Sequence, residues 1–220
     1  MLELAAGTGE VGRALAGRVG HLISSDLSPA MVEAARRRLQ GAEHRVIDMH
    51  AIDLPDASVE GVVCRWGYML VLDPALAVWE TRRVLRPGRR LATAVWARAE
   101  RNPWAAAFGR SLVKRGLMEP PVPGEPGMFA LADEAQIDAL LRTAFEHVRV
   151  EEVPVEFRAP SFEAYRRVMT NLGTTLRGTL ASLDEEARAD IDADARAALE
   201  PFMRDGGYAV PGVSLVATAS

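Results

Sequence analysis

The chain has 220 residues, 49% of them apolar, enough for one large domain with a substantial core and too apolar for a disordered polymer. Its formal charge of −4, with no basic run longer than Arg36-Arg37-Arg38, argues against a protein built to neutralise a nucleic-acid backbone. A single cysteine, Cys64, excludes an intrachain disulfide and a multi-cysteine zinc site, and no apolar run approaches the about 20 residues of a membrane span.

In chain order, "LELAA" (2–6) reads as a strand and "EVGRALAGRV" (10–19) as a helix leaving a glycine-rich turn. "HLISSDL" (21–27) is a second strand. Ser28 can cap a helix with Pro29 in its first position, and Met31, Ala34, Ala35 and Leu39 then recur at helical spacing. "HRVIDM" (44–49) is a third strand, followed by the turn-rich "DLPDAS" (53–58). "VEGVVCRW" (59–66) is a nearly continuous apolar strand of the kind buried on both faces of a parallel sheet, and Cys64 within it is expected to be an inert buried thiol. Asp73-Pro74 restarts a helix by the same cap logic, and Pro87-Gly88 stops it. "RRLATAVWA" (89–97) is the fifth strand.

The second half changes character. Asn102-Pro103 caps a helix over "WAAAFGRSLVKRGL" (104–117), and the proline- and glycine-rich 119–129 is expected to be irregular. Asp133 opens a helix at 134–145, and "HVRVEEVPVEF" (147–157) is a strand. Two helical stretches start near Ser161 and Ser182, the latter with an acid-rich beginning. "VSLVATA" (213–219) is the last strand. Alternation of strand and helix predicts a doubly wound, mostly parallel α/β sheet, whose ligands lie beyond the carboxyl ends of the strands. One domain is expected over 1–220: a cofactor-binding half (1–97), then a substrate-side half (98–220) with a helical insertion at about 161–205.

Gly7-Thr8-Gly9-Glu10-Val11-Gly12 matches a Gly-x-Gly-x-x-Gly turn, and Asp26 stands where an acid reaches a ribose hydroxyl. Alone, this pattern marks any adenosine-bearing ligand. Glu3 discriminates. A carboxylate in the strand just before the glycines opposes a pyrophosphate and suits an ammonium and a sulfonium, as in S-adenosylmethionine. Asp48, ending the third strand, offers an acceptor to an adenine amino group. Asp53 or Asp56 is the alternative acid for that place, and a loop shorter by two residues puts His50 there instead. Met31 is either core or a thioether against a flat ring.

These stretches resemble the class I, Rossmann-like S-adenosylmethionine-dependent methyltransferases, in their ubiquinone/menaquinone-biosynthesis-like branch. "LELAAGTGEVG" is similar to the family's first motif, "SSDLSPAMVEAAR" to its second, and "RVIDMHAIDLPDASVEGVVCRWGYM" to its third and fourth. "ETRRVLRPGRRLATAVW" resembles the stretch through the fifth strand, and "RNPWAAAF" and "GGYAVPGVSLVATA" carry a weaker likeness. The resemblance implies a seven-stranded sheet with an antiparallel last strand and a helical insertion before it. It implies that the backbone at Ala5, Gly7 and Gly9 cradles the methionine part, with Glu3 supporting its polar end. Asp26 would bind the ribose, Leu27 and Met31 flank the adenine, and Asp48 accept from its amino group. The Met49 amide would face the ring, and Arg65 would line the sulfonium side.

Methyl transfer needs alignment more than a catalytic constellation, and no base and no metal ligand is singled out. Tyr68, Asn102 and Trp104 follow strands on the ligand side and are expected to line an acceptor pocket; their alternatives are core packing for Trp104 and a helix cap for Asn102. The expectation is a cytoplasmic enzyme that methylates a small molecule and leaves S-adenosylhomocysteine. The family's helices ahead of the first strand have no counterpart before Met1, so a truncated or non-catalytic cofactor-binding relative is the second expectation. An NAD-dependent oxidoreductase is a remote third.

Overall fold

Three residues, Leu2–Leu4, make the central strand β1, and they are almost wholly buried because sheet lies on both sides of them. β1 pairs in parallel with β2 (Ile23–Asp26) and, on its other edge, with β4 (Val59–Arg65). β3 (Glu43–Val46) continues the sheet beside β2, and β5 (Leu85–Trp96) beside β4, again in parallel. With β6 (Val148–Ala159) and β8 (Gly207–Ala219) the order is β3-β2-β1-β4-β5-β8-β6. His147 and Ser220 exchange both backbone N–H···O bonds (3.0 and 2.9 Å), the signature of an antiparallel pair. The sheet is the expected doubly wound, mostly parallel one, with its last strand antiparallel. The strand order reverses between β1 and β4, which is where such sheets open a crevice.

The computed structural model describes every residue except Pro121, Pro123 and Gly173, together with all side chains but those of Thr174 and Thr175. The irregular stretch expected at 119–129 and the insertion expected at 161–205 therefore lie partly outside the described residues. Two compact units emerge: 1–96, 124–152 and 215–220 form the first, and 97–123 and 153–214 the second.

Helices α1 (Glu10–Leu15), α2 (Pro29–Arg38) and α3 (Pro74–Val84) belong to the first unit, and α4 (Pro103–Lys114) to the second. α5 (Glu134–Arg142) returns to the first. α6 (Phe162–Leu172), α7 (Thr174–Ser182) and α8 (Glu185–Leu199) complete the second. The start signals work locally: Asp73 accepts from the Leu76 amide and Asp133 from the Ala135 amide, with Pro29, Pro74 and Pro103 each in a first turn. In the second unit Phe108, Phe157, Phe162, Tyr165 and Tyr208 pack ring against ring, and the Tyr165 hydroxyl donates to the Trp104 carbonyl (2.5 Å).

Several boundaries differ from expectation. α1 ends at Leu15, short of residue 19. β5 pairs from Leu85 onward, and the register jump from Val59↔Leu85 to Gly61↔Arg90 places Pro87 and Gly88 (φ 72°) in a bulge. Among the described residues, helix covers Phe162–Leu172, Thr174–Ser182 and Glu185–Leu199. β8 starts at Gly207, six residues early, because β7 (Met203–Arg204) folds back on it through Asp205-Gly206, both with positive φ. That Asp-Gly pair is a hairpin signal the sequence reading passed over. It adds an eighth strand to the seven expected.

Candidate functional site

Beyond β1 the backbone enters the left-handed region at Ala5 (φ 51°), Gly7 (φ 56°) and Gly9 (φ 85°), which turns the chain sharply into α1. The turn is closed by the Gly9 amide donating to the Ala6 carbonyl (2.9 Å). The space a Cβ would take at Gly7 is open for 4 Å, so a ligand has room against the backbone there. Gly12 serves packing instead. A Cβ there would stand 2.5 Å from Leu39 Cδ2 and 2.6 Å from Glu3 Oε2.

Glu3 is buried beneath this turn, only 2% exposed. Its Oε1 accepts from the Gly12 amide and its Oε2 from the Ser24 hydroxyl, each at 3.0 Å. Burial pushes its carboxyl above the ordinary range, against the pull of those hydrogen bonds. The carboxylate thus meets the underside of the turn.

Asp26 ends β2 and joins two loops. Its Oδ2 accepts from the Gly7 amide and its Oδ1 from the Ser28 amide, both at 2.9 Å. Each oxygen keeps a second acceptor direction for a ligand hydroxyl. Leu27 and Met31 follow on the same loop and helix start, and are 65% and 42% exposed.

Beyond β3, Asp48 is exposed and Met49 buried. Asp48 Oδ1 accepts from the His50 amide (2.9 Å) and from His50 Nδ1 (2.8 Å). Those bonds, the backbone one foremost, hold the Asp48 carboxyl below the ordinary aspartate range. His50 Nε2 accepts from the Asp73 amide (3.2 Å), so the proton is assigned to Nδ1. Asp48 and His50 therefore occupy the third strand end together. Of the alternative acids, Asp56 pairs with Arg83 (2.7 Å), while Asp53 is exposed.

β1 and β4 run in register at Leu4↔Cys64, which sets Ala5 beside Arg65. The Arg65 guanidinium lies over the Trp66 ring (4.3 Å) and 3.8 Å from Glu10, and Trp66 stacks on Trp96 (4.2 Å). Trp66 has φ 61°, and a Cβ on Gly67 would come 2.7 Å from the Ala5 Cβ and 2.6 Å from Cys64 Sγ. Two neighbouring strand ends, at Ala5 and Trp66, are thus both held in sparsely populated backbone conformations, a pattern that clusters at functional sites. Cys64 is fully buried, and burial pushes its thiol up to about 12. The inert thiol expected from its apolar run has a physical cause.

One cluster was missed by sequence reasoning. Glu80 and Arg83 on α3 brace the loop after β3: Glu80 Oε2 accepts from the Ile52 amide, and Arg83 donates to the carbonyls of Ile52 and Leu54 (2.8–3.0 Å). The two side chains also pair with each other at 2.8 Å. Their spacing of three on a helix was visible; their partners, 28–31 residues away, were not.

The three residues expected to line an acceptor pocket are all buried. Tyr68 has no exposure, and its hydroxyl is shared with Thr81 Oγ1 (2.6 Å). In the second unit Asn102, also without exposure, donates to the Ala97 and Val213 carbonyls. Its Oδ1 accepts from the Val213 amide and from Trp104 Nε1. Trp104 is 3% exposed and stacks on Phe157. The polar side-chain atoms of all three are engaged within the protein. Among the described residues no group of three or more His, Cys, Asp or Glu side chains is placed to hold a metal ion, and no helix is long and apolar enough to cross a membrane.

The first unit's site lies almost wholly within a stretch with known relatives. Residues 2–93 match the family described as a methyltransferase domain. Over 95 residues this domain is 42% identical to a demethylmenaquinone methyltransferase of Clavibacter sepedonicus, covering 41% of this chain and 38% of that protein. This likeness is to a member of the ubiquinone/menaquinone-biosynthesis-like branch. The chain spans 22–47% of the length of the first curated relatives it matches. Among solved structures, the YcgJ protein of Bacillus subtilis superposes with a TM-score of 0.60 at 14% identity, over 99% of this chain and 89% of that one. Phosphoethanolamine N-methyltransferase 2 of Haemonchus contortus, solved with S-adenosyl-L-methionine, superposes with a TM-score of 0.58 at 18% identity, over 100% of this chain and 48% of that one. These two likenesses concern the fold.

Proposed function

We propose that the protein is an S-adenosylmethionine-dependent methyltransferase acting on a small molecule. The observation that carries this reading is the convergence of the open glycine turn, Asp26 and Asp48 at successive strand ends, with an acid, not a cation, beneath the turn. Arg38 and Arg65 each stand 3.8 Å from Glu10. A pyrophosphate would meet little positive side-chain charge here; an ammonium and a sulfonium suit it.

The residues present fit the cofactor. The backbone at Ala5, Gly7 and Gly9 would cradle the methionine part, with Glu3 holding that backbone from below. Asp26 would take the ribose hydroxyls, Leu27 and Met31 flank the adenine, Asp48 accept from its amino group and the Met49 amide face its ring. Arg65 would line the sulfonium side. When bound, the cofactor supplies a methyl carbon already activated by its sulfonium. The chain's own contribution is to orient the reactants and exclude water.

Calorimetric titration with S-adenosylhomocysteine tests the reading. Asp26→Ala is expected to weaken binding tenfold or more, about 1.4 kcal/mol. Unchanged affinity in a folded variant removes Asp26 from the site. Binding of NAD, with none of S-adenosylhomocysteine, overturns the whole reading in favour of an oxidoreductase.

A further inference from the structure

The Asp48–His50 pair is more ordered than its exposed position at the end of β3 requires. An exposed aspartate ordinarily samples several rotamers, and fixing one on ligand binding opposes affinity. Here Asp48 Oδ1 is held twice, by the His50 amide and by Nδ1–H, while the Asp48 carbonyl accepts from the Ala51 amide (3.0 Å) and closes the turn. The His50 ring is fixed in turn. Its Nε2 accepts from the amide of Asp73, the residue that caps α3 through its own carboxylate on the Leu76 amide (2.9 Å). A line of hydrogen bonds thus runs from the first turn of a helix to one carboxylate oxygen at a strand end, and Oδ2 is the oxygen it leaves for a ligand.

We propose that His50 is a positioning residue for base recognition: it fixes Asp48 so that Oδ2 selects a purine bearing a 6-amino group over one bearing a 6-oxo group. The inference rests on the proposed cofactor reading. A fixed, ionised carboxylate only accepts, so an exocyclic N–H finds its partner and an exocyclic carbonyl sets lone pair against lone pair. A freely rotating carboxylate would turn away from the carbonyl and discriminate less. The selection therefore depends on His50, although His50 itself touches no part of the base.

The test compares S-adenosylhomocysteine with S-inosylhomocysteine by calorimetric titration of the wild type, His50→Ala and His50→Asn, each checked for folding by thermal unfolding. Wild type is expected to prefer the adenine compound at least tenfold. His50→Ala is expected to weaken that compound five- to tenfold and leave the inosine compound unchanged, so the preference collapses. His50→Asn, whose amide keeps a donor near the place of Nδ1, is expected to recover part of it. An undiminished preference in His50→Ala overturns the positioning role while the cofactor reading stands. Equal losses for both compounds also overturn it, because they report only damage to the loop. No binding of either compound to the wild type overturns the cofactor reading itself, and this inference with it.

Discussion

Glu3 carries its charge into a place that disfavours charge. Desolvation raises its carboxyl pKa, outweighing the hydrogen bonds from Ser24 and Gly12 and the attraction of Arg65. Because the folded pKa lies above the unfolded one, the contribution of Glu3 to stability is full below the ordinary glutamate pKa and is lost as pH rises through the folded value. Glu3→Gln keeps an oxygen for the Gly12 amide and lets Ser24 accept instead of donate. It is expected to raise the urea midpoint at pH 8, with the gain shrinking towards pH 5. A lower midpoint than wild type at pH 8 would show that the two hydrogen bonds need the full charge. At this scale the position of Asp26 at the end of β2 was legible, because a strand end announces where a carboxylate stands. The burial of Tyr68, Asn102 and Trp104 was not, since a strand-end position places a Cα and leaves the direction of the side chain to packing.

α1 lies against β1 and α2 at a separation set by Gly12, and α3 holds the loop after β3 through Glu80 and Arg83. Gly12→Ala forces a methyl group against Leu39 and Glu3, an overpacking expected to cost about 1–3 kcal/mol by urea denaturation. A variant as stable as wild type would mean that α1 shifts without penalty. Arg83→Ala removes the guanidinium bonds to the Ile52 and Leu54 carbonyls and leaves Glu80 without its cation. It is expected to speed amide hydrogen exchange across residues 52–58 while that of β1 is unchanged; unaltered exchange in the loop would dismiss the brace. Element existence was legible where signals are local: Pro29, Asp73-Pro74, Asp133 and the glycine turn each act within a few residues, although the Ser28 side chain makes no cap bond. The bulge in β5 and the early start of β8 come from pairing with distant strands, which local pattern does not record. The Glu80–Arg83 brace escaped for the same reason.

At the scale of the whole molecule, the residues proposed to bind the cofactor all belong to the first unit: the glycine turn, residues 26–31, residues 48–50 and Arg65. A ligand that binds only the folded state stabilises it by mass action, about 2.7 kcal/mol at a hundredfold excess over its Kd. For a chain of this size that is roughly a 5–10 °C rise in Tm. S-adenosylhomocysteine is therefore expected to raise Tm by that order, and NAD at the same concentration to leave it unchanged. Hydrogen exchange gives the stronger form of the prediction, since protection from local opening concentrates where the ligand supplies contacts. Peptides spanning 5–12, 23–31 and 47–52 are expected to slow on adding S-adenosylhomocysteine, while those from α6 to α8 keep their rates. Protection confined to 162–199, with the first unit unaffected, would place the ligand on residues outside the strand ends and undo the assignment of Gly7, Asp26 and Asp48 together.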